Sequence, residues 1–221
     1  MSRTLLYRVA AVALVVGAVL SAAGNLLAPQ GDARAAVASG TYYPAAVAVL
    51  LGSVLVMAGW PAAYLRQRAQ SGILGFVGMV VVFAVGMVLT VGWSTVQLLL
   101  FPWVATTGIS DKALDAGPLS FTLFFAVSSA LVSLGGILFG IATVRARVFS
   151  RQLGVGLIVL AVLSAVLGFL SLPGGGGISM SWWWGTTGTF GVVAYMVALG
   201  WYGVELFRRV GGGSEDGPPA P

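Results

Sequence analysis

Apolar residues form long uninterrupted runs along this chain, and polar residues collect in short segments between them. A helix needs about 20 mostly apolar residues to cross a bilayer, whereas a porin-like strand alternates apolar and polar positions over about 10 residues. The pattern therefore predicts an all-α fold, a polytopic transmembrane six-helix bundle. The predicted spans are Leu5–Ala28, Pro44–Leu65, Ile73–Leu99, Pro118–Val144, Leu153–Leu172 and Gly185–Phe207.

The basic residues are distributed unevenly between the segments that join these spans. Nine of the 11 lie on one side of a six-span arrangement, and only Arg34 and Lys112 lie on the other. Basic loops stay on the cytoplasmic side, so both termini are predicted to be cytoplasmic. The richness in Ala, Gly and Val, with ten Arg to one Lys, indicates a high-GC bacterial coding bias and hence a bacterial plasma membrane.

A single transmembrane domain is predicted over residues 1–210. Residues 211–221 are rich in Gly and Pro and predict a flexible cytoplasmic tail. The beginning of the chain also resembles a secretory signal, because an apolar run follows Arg3 and Arg8 and is followed by Ala36-Val37-Ala38. The run is longer than the 7–15 residues typical of a signal sequence, so an uncleaved first span is expected.

The composition excludes several kinds of chemistry. Charged residues make up 8% of the chain and the mean hydropathy is +1.00, which excludes a soluble globular domain. The chain has no Cys and no His, so the common metal, haem and nucleophilic sites cannot form. We expect no enzymatic activity, no metal and no cofactor. A lipid-modifying enzyme that acts through Ser, Asn and Asp stays a distant alternative.

Uncharged polar residues concentrate in the outer halves of spans one, three, four and six, while the inner halves are nearly all aliphatic. We interpret this distribution as an outward-facing polar cavity. The alternative is ordinary helix-end polarity, with Ser and Thr hydroxyls bonded to backbone carbonyls. The candidate cavity residues are Asn25, Ser94, Thr95, Gln97, Thr122, Thr186, Thr187 and Thr189.

Two charged residues lie just inside the inner ends of spans, Arg8 in the first and Glu205 in the sixth. We predict an ion pair at the inner interface that involves Arg8, Glu205 and Arg209. Because intramembrane acids often mark proton relays, a proton-coupling role for Glu205 is the alternative.

Small residues recur four positions apart, as in Ala13, Gly17 and Ser21 of span one and in Gly136 and Gly140 of span four. Such rows let helix backbones approach closely in lipid. We interpret them as contacts within the chain, and a homodimer face is the alternative.

Three local motifs resemble those of small six-span integral membrane proteins of high-GC bacteria whose function is uncharacterised. They are Tyr7-Arg8, Asn25-Leu26-Leu27-Ala28-Pro29 and the segment from Gly59 to Arg66 that reads Gly-Trp-Pro-Ala-Ala-Tyr-Leu-Arg. The resemblance covers residues 5–105 and implies a domain-of-unknown-function group. It implies no substrate and no functional residue.

These observations predict a non-enzymatic accessory, sensor or assembly component that interacts with membrane lipid or other membrane helices. A homo-oligomer fits the same pattern, and nucleic acid is not an expected partner because the charges lie in short loops. The alternative is a small permease or exporter of an apolar or zwitterionic solute. A carrier should have polar or broken helix segments at half depth. The sequence shows only Ser129, Ser133 and Ser164 there.

Overall fold

The computed structural model describes residues 2–29, 33–109, 119–170 and 186–211. Within these ranges 92% of the residues are helical and no strand is formed, which confirms the predicted all-α class. The elements are α1 (Arg3–Leu27), α2 (Ala33–Ala38), α3 (Tyr42–Gly86), a π-helical segment (Met87–Gly92), α4 (Trp93–Ala105), α5 (Leu119–Ala146), α6 (Arg151–Leu170) and α7 (Thr186–Gly211).

Four helical stretches in the described part of the chain are long and apolar enough to cross a membrane. They are Arg3–Leu27, Tyr42–Ala105, Leu123–Ala146 and Thr189–Val210. The second stretch has 64 residues and contains both the second and the third predicted span. It is interrupted at Gly72, where φ is 57° and ψ is −159°. That conformation is almost restricted to glycine, so a helix break lies where the sequence predicts a loop.

The long helices form a closed ring. α1 packs against α3 and α7, α5 packs against α3 and α6, and α6 also packs against α7. Glycines lie at several of these contacts. A Cβ on Gly17 would lie 2.6 Å from the carbonyl oxygen of Gly52, and a Cβ on Gly140 would lie 2.8 Å from the carbonyl oxygen of Gly154. The small-residue rows of α1 and α5 therefore serve contacts within the chain.

Aromatic rings fill the interior of the ring of helices. Trp60 of α3 lies 4.6 Å from Phe139 of α5 and 5.4 Å from Tyr202 of α7, measured between ring centroids. None of the three side chains is accessible to solvent. Towards the other end of α3, Tyr42 belongs to a second buried cluster with Phe125. The aromatic cluster of Trp60, Phe139 and Tyr202 therefore holds α3, α5 and α7 together.

The outward faces of the helices are apolar. Val19 is 62% exposed, Ile73 is 81% exposed and Leu99 is 72% exposed, and many more aliphatic side chains share this orientation. A soluble protein rarely presents so large an apolar surface to water. The exterior therefore suits the apolar interior of a bilayer.

The short helix α2 was not expected from the sequence. It contains the Ala36-Val37-Ala38 segment that resembles a signal cleavage site, and Ala36 is buried against the rest of the chain. Arg34, in the same helix, donates hydrogen bonds from Nη2 to the carbonyl oxygens of Ile109 at 2.9 Å and Thr107 at 3.4 Å. These bonds connect α2 to the segment that follows α4.

Candidate functional site

A partly enclosed cavity of about 80 Å³ lies inside the ring of helices. All five long helices contribute to its wall, and the π-helical segment and α4 complete it. No Asp, Glu, Lys or Arg lines the cavity among the described residues. Most of the wall is apolar. The polar residues in it are Ser21, Asn25, Ser53, Thr90, Ser94, Ser129, Ser133, Ser164 and Tyr195.

The π-helical segment forms one side of this cavity. Its wider turns loosen the backbone hydrogen bonding, and side-chain hydroxyls supply extra donors to the carbonyls there. The hydroxyl of Thr90 donates to the carbonyl of Gly86 at 2.6 Å, and that of Ser94 donates to the carbonyl of Thr90 at 2.7 Å. The segment lies near the middle of the helical stretch between Gly72 and Ala105. A wider helical turn therefore lines the cavity near the middle of this stretch, where the sequence pattern showed scattered serines alone.

Three hydroxyl groups in the cavity wall have no hydrogen-bond partner within the described part of the chain. They are Ser21 Oγ of α1, Ser53 Oγ of α3 and Tyr195 Oη of α7. Ser21 and Ser53 are fully buried, and Tyr195 is 6% exposed. A buried polar group without a partner costs about 1–3 kcal/mol, so a molecule that satisfies it is expected nearby.

The backbones of the two helices that carry Ser21 and Ser53 lie in close contact. A Cβ on Gly52 would collide with the backbone of Ser21, so α1 and α3 touch directly beside Ser53. Asn25 lies one turn further along α1 and donates from Nδ2 to the carbonyl oxygen of Ser21 at 2.8 Å. That bond uses one amide hydrogen of Asn25 and leaves its carboxamide at the cavity wall. The α1–α3 contact thus supplies three polar residues of the cavity wall, Ser21, Asn25 and Ser53.

The structure distributes the eight sequence-predicted cavity residues over several places. Asn25 and Ser94 line the cavity. Thr95 is exposed, and its hydroxyl donates to the carbonyl of Val91 at 2.9 Å. Gln97 and Thr189 are buried but do not line the cavity. The side chains of Thr122, Thr186 and Thr187 lie outside the described residues, as do Lys112 and the tail beyond Gly211.

Gln97 lies in a separate contact. Its backbone carbonyl accepts a hydrogen bond of 2.6 Å from the hydroxyl of Tyr42. The bond joins α4 to the beginning of α3, at the second aromatic cluster. The structure therefore places Gln97 and Asn25 in different environments and does not bring them together as the hypothesis of one outer cavity requires.

Sequence reasoning missed most of the polar wall. Ser21 was assigned to helix packing, and Ser53 and Tyr195 each stand alone in an apolar run. Ser129, Ser133 and Ser164 were noted as isolated, yet the fold brings all three to one cavity. The sequence offered one signal: these polar residues lie at similar positions along their apolar helices. Isolated polar residues in apolar helices tend to face the interior of the bundle.

A second polar cluster lies nearer the other end of the bundle. Thr143 Oγ1 of α5 accepts hydrogen bonds from Gln67 Nε2 at 3.1 Å and from Tyr202 Oη at 2.9 Å. All three side chains are buried. The cluster therefore adds buried polar contacts at the end of the bundle where the sequence pattern is nearly all aliphatic. Gln67 lies between Arg66 and Arg68, in a segment that the sequence predicts to be a loop.

Unpaired polar atoms continue along α3 from the cavity towards this cluster. Ser53 Oγ, Trp60 Nε1, Gln67 Oε1 and Ser71 Oγ are all buried and lack partners among the described residues. Their spacings of seven, seven and four residues place them on one face of a helix. The row covers about 27 Å at 1.5 Å per residue. The interior of the bundle is therefore less apolar than its exterior.

Glu205, a member of the predicted ion pair, lies near the end of α7 and pairs with Arg209. Its Oε1 accepts from Arg209 Nε at 3.0 Å and from the backbone N–H of Ser150 at 3.3 Å. Arg8 is exposed on α1 and takes no part in this contact within the described residues. A cation–π contact of 5.9 Å instead links the neighbouring Tyr7 to Arg66. Glu205 therefore connects α7 to the start of α6.

No protein-family model, no curated protein and no solved structure matches this chain. The site must therefore be interpreted from its own chemistry. Hydroxyl and carboxamide groups can donate and accept hydrogen bonds but hold no fixed charge. The arrangement is suited to binding an uncharged molecule.

Proposed function

We propose that this chain is a plasma-membrane protein of a bacterium, with six spans and cytoplasmic termini, that passes a small uncharged solute through the central cavity. The break at Gly72 divides the 64-residue apolar stretch into two helices of spanning length. α6, which has 20 residues, supplies one further span in this proposal. The uneven distribution of basic residues supports the orientation.

The cavity is the observation that carries the proposal. An accessory protein or sensor that only docks against other helices needs suitable outward faces. Buried hydroxyls without partners would lower its stability and contribute nothing to docking. A polar site in the interior of the bundle, beside an irregular helical turn, is compatible with a carrier. The absence of charge from the described wall favours an uncharged solute over a zwitterion, whose charges would need partners.

Flux through the purified protein tests this function. Proteoliposomes and protein-free liposomes are mixed with a hyperosmotic solution of ethylene glycol or acetamide, and vesicle reswelling is followed by stopped-flow light scattering. The protein should accelerate reswelling. Ser129→Leu, which places a larger side chain at the cavity wall, should remove most of the excess flux.

Ala130→Leu is the matched control, because Ala130 follows Ser129 on α5 and is exposed on the outward face. It should leave the flux unchanged. Equal reswelling rates in proteoliposomes and protein-free liposomes, for every solute and for water, would contradict the proposed function.

The six-span arrangement has its own test, which uses the absence of cysteine from the chain. Single cysteines at Gly40, Gln70 and Gly108 are exposed to an impermeant maleimide in intact cells. Six spans with an inside N-terminus place Gly40 and Gly108 outside and Gln70 inside. Labelling of Gly40→Cys and Gln70→Cys from the same side would rule out this topology.

A further inference from the structure

We infer that the cavity binds a small uncharged alcohol or amide, with Ser21, Ser53 and Tyr195 as its hydrogen-bond partners. The inference rests on the proposed function and names the class of solute. Its basis is that three residues from α1, α3 and α7, each with a buried hydroxyl that has no partner within the described part of the chain, line one cavity. These helices are distant in sequence, so the chain does not bring the groups together merely by local proximity.

The polar groups of the wall indicate which hydrogen-bonding groups the ligand carries. Each hydroxyl can donate one hydrogen bond and accept others, so together they match a ligand that carries both donors and acceptors. A purely apolar ligand would leave all three hydroxyls unsatisfied. An ion would enter a wall without counter-charge among the described residues, which is costly away from water. The remaining class is an uncharged molecule with hydrogen-bonding groups.

The apolar part of the wall determines the rest. Val49, Met57, Val82 and Leu89 line the cavity with the hydroxyls. These side chains favour a ligand with a short hydrocarbon portion. An engineered cavity of about 150 Å³ holds the six carbon atoms of benzene, so the cavity of about 80 Å³ here suits a molecule of roughly three or four non-hydrogen atoms. Ethylene glycol and acetamide have this size and chemistry.

Tyr195 is held at the cavity by its neighbours. Its hydroxyl would lie 3.2 Å from a Cβ on Gly136, and that same Cβ would lie 3.2 Å from the Cβ of Ala161. The small residue at 136 thus leaves room for the hydroxyl between α5 and α6. Tyr195 thus contributes to the cavity wall while its hydroxyl lies beside Gly136.

The test removes each hydroxyl with little change in shape, by Ser21→Ala, Ser53→Ala and Tyr195→Phe. The excess flux of ethylene glycol and acetamide should fall about threefold to tenfold in each variant, which is the effect of losing one hydrogen bond. Ser128→Ala is the matched control, because Ser128 is also a buried serine but does not line the cavity. It should leave the flux unchanged.

Melting temperatures in detergent provide a second test, which applies even if a variant folds too poorly for the flux assay. Removal of an unpaired buried hydroxyl should leave the melting temperature of the solute-free protein equal or higher. Added acetamide should stabilise the wild type more than it stabilises Ser53→Ala. A serine needed only for packing would give the opposite sign in the solute-free melt.

A solute panel separates failure of this inference from failure of the proposed function. Acetamide and ethylene glycol should pass, while the zwitterion glycine and the larger polyol xylitol should not. Passage of water alone, or flux that is insensitive to all three hydroxyl deletions, would overturn the inference and leave a conducting protein. The absence of any protein-dependent flux would overturn both.

Discussion

Gln67 donates a hydrogen bond from Nε2 to Thr143 Oγ1 at 3.1 Å, across 76 positions of sequence. Thr143 also accepts from the hydroxyl of Tyr202 and donates to the carbonyl of Phe139 at 2.9 Å. One threonine hydroxyl therefore connects α3, α5 and α7 at the base of the aromatic cluster. Such a shared acceptor should contribute more to stability than any exposed polar group on the same helices.

Thr143→Val should lower the free energy of unfolding by about 1–3 kcal/mol, because it leaves two buried donors without an acceptor while keeping the side-chain shape. Chemical denaturation in detergent measures the change. Thr95→Val is the control, because Thr95 is exposed and bonds only to its own helix. Equal losses in the two variants would contradict a special role for the interhelical bonds.

Gly17→Ala should weaken the contact between α1 and α3, because the new Cβ would lie 2.6 Å from a carbonyl oxygen and 2.7 Å from the backbone nitrogen of Val56. Backbone atoms cannot move aside as a flexible side chain can. Overpacking of this kind costs about 1–3 kcal/mol. The loss should appear as a lower melting temperature, with Gly108→Ala, which meets nothing within 4 Å, as the unaffected comparison.

Gly72→Ala should destabilise the protein although the added methyl group touches nothing within 4 Å. The cost comes from the backbone, since an alanine at φ 57° and ψ −159° is strained by about 1–3 kcal/mol. Gly40→Ala separates the two effects, because Gly40 has the same open surroundings and no positive φ. Similar melting temperatures for the two variants would show that the backbone at Gly72 relaxes freely.

Glu205→Gln should leave the solute flux unchanged and lower the free energy of unfolding by less than about 1 kcal/mol. The side chain of Arg209 is 40% exposed, so solvent screens the pair. Flux in proteoliposomes with and without a pH gradient measures the effect. Abolition of flux in this variant would instead make Glu205 a proton-coupling carboxylate.

The positions of the helices were accessible from sequence because membrane-length apolar runs are a local property. The third predicted span begins at Ile73, one residue after the break at Gly72, and the fourth begins at Pro118, one residue before Leu119. Such boundaries follow from composition within about 20 residues. The helix continues through Pro102 to Ala105, beyond Leu99, where the third predicted span ends.

The site was less accessible because it depends on how the helices are rotated. Whether Ser53 faces the interior or lipid is decided by its contact with α1, which no local pattern encodes. The π-helical segment adds a second obstacle. A wider turn changes the rotation of all residues that follow it. Beyond it, Ser94 lines the cavity while Thr95 is exposed. The sequence prediction grouped polar residues because they lie at the same end of their spans, and the fold separates several of them.

The uncharged cavity wall has a thermodynamic consequence. A neutral solute that crosses among neutral groups moves no net charge, so the membrane voltage does no work on it. Glu205 is paired with Arg209, and no carboxylate or amine lies among the described lining residues to carry a proton beside the solute. Transport by this protein would then equilibrate its solute, reverse direction when the gradient reverses, and continue in a de-energised cell.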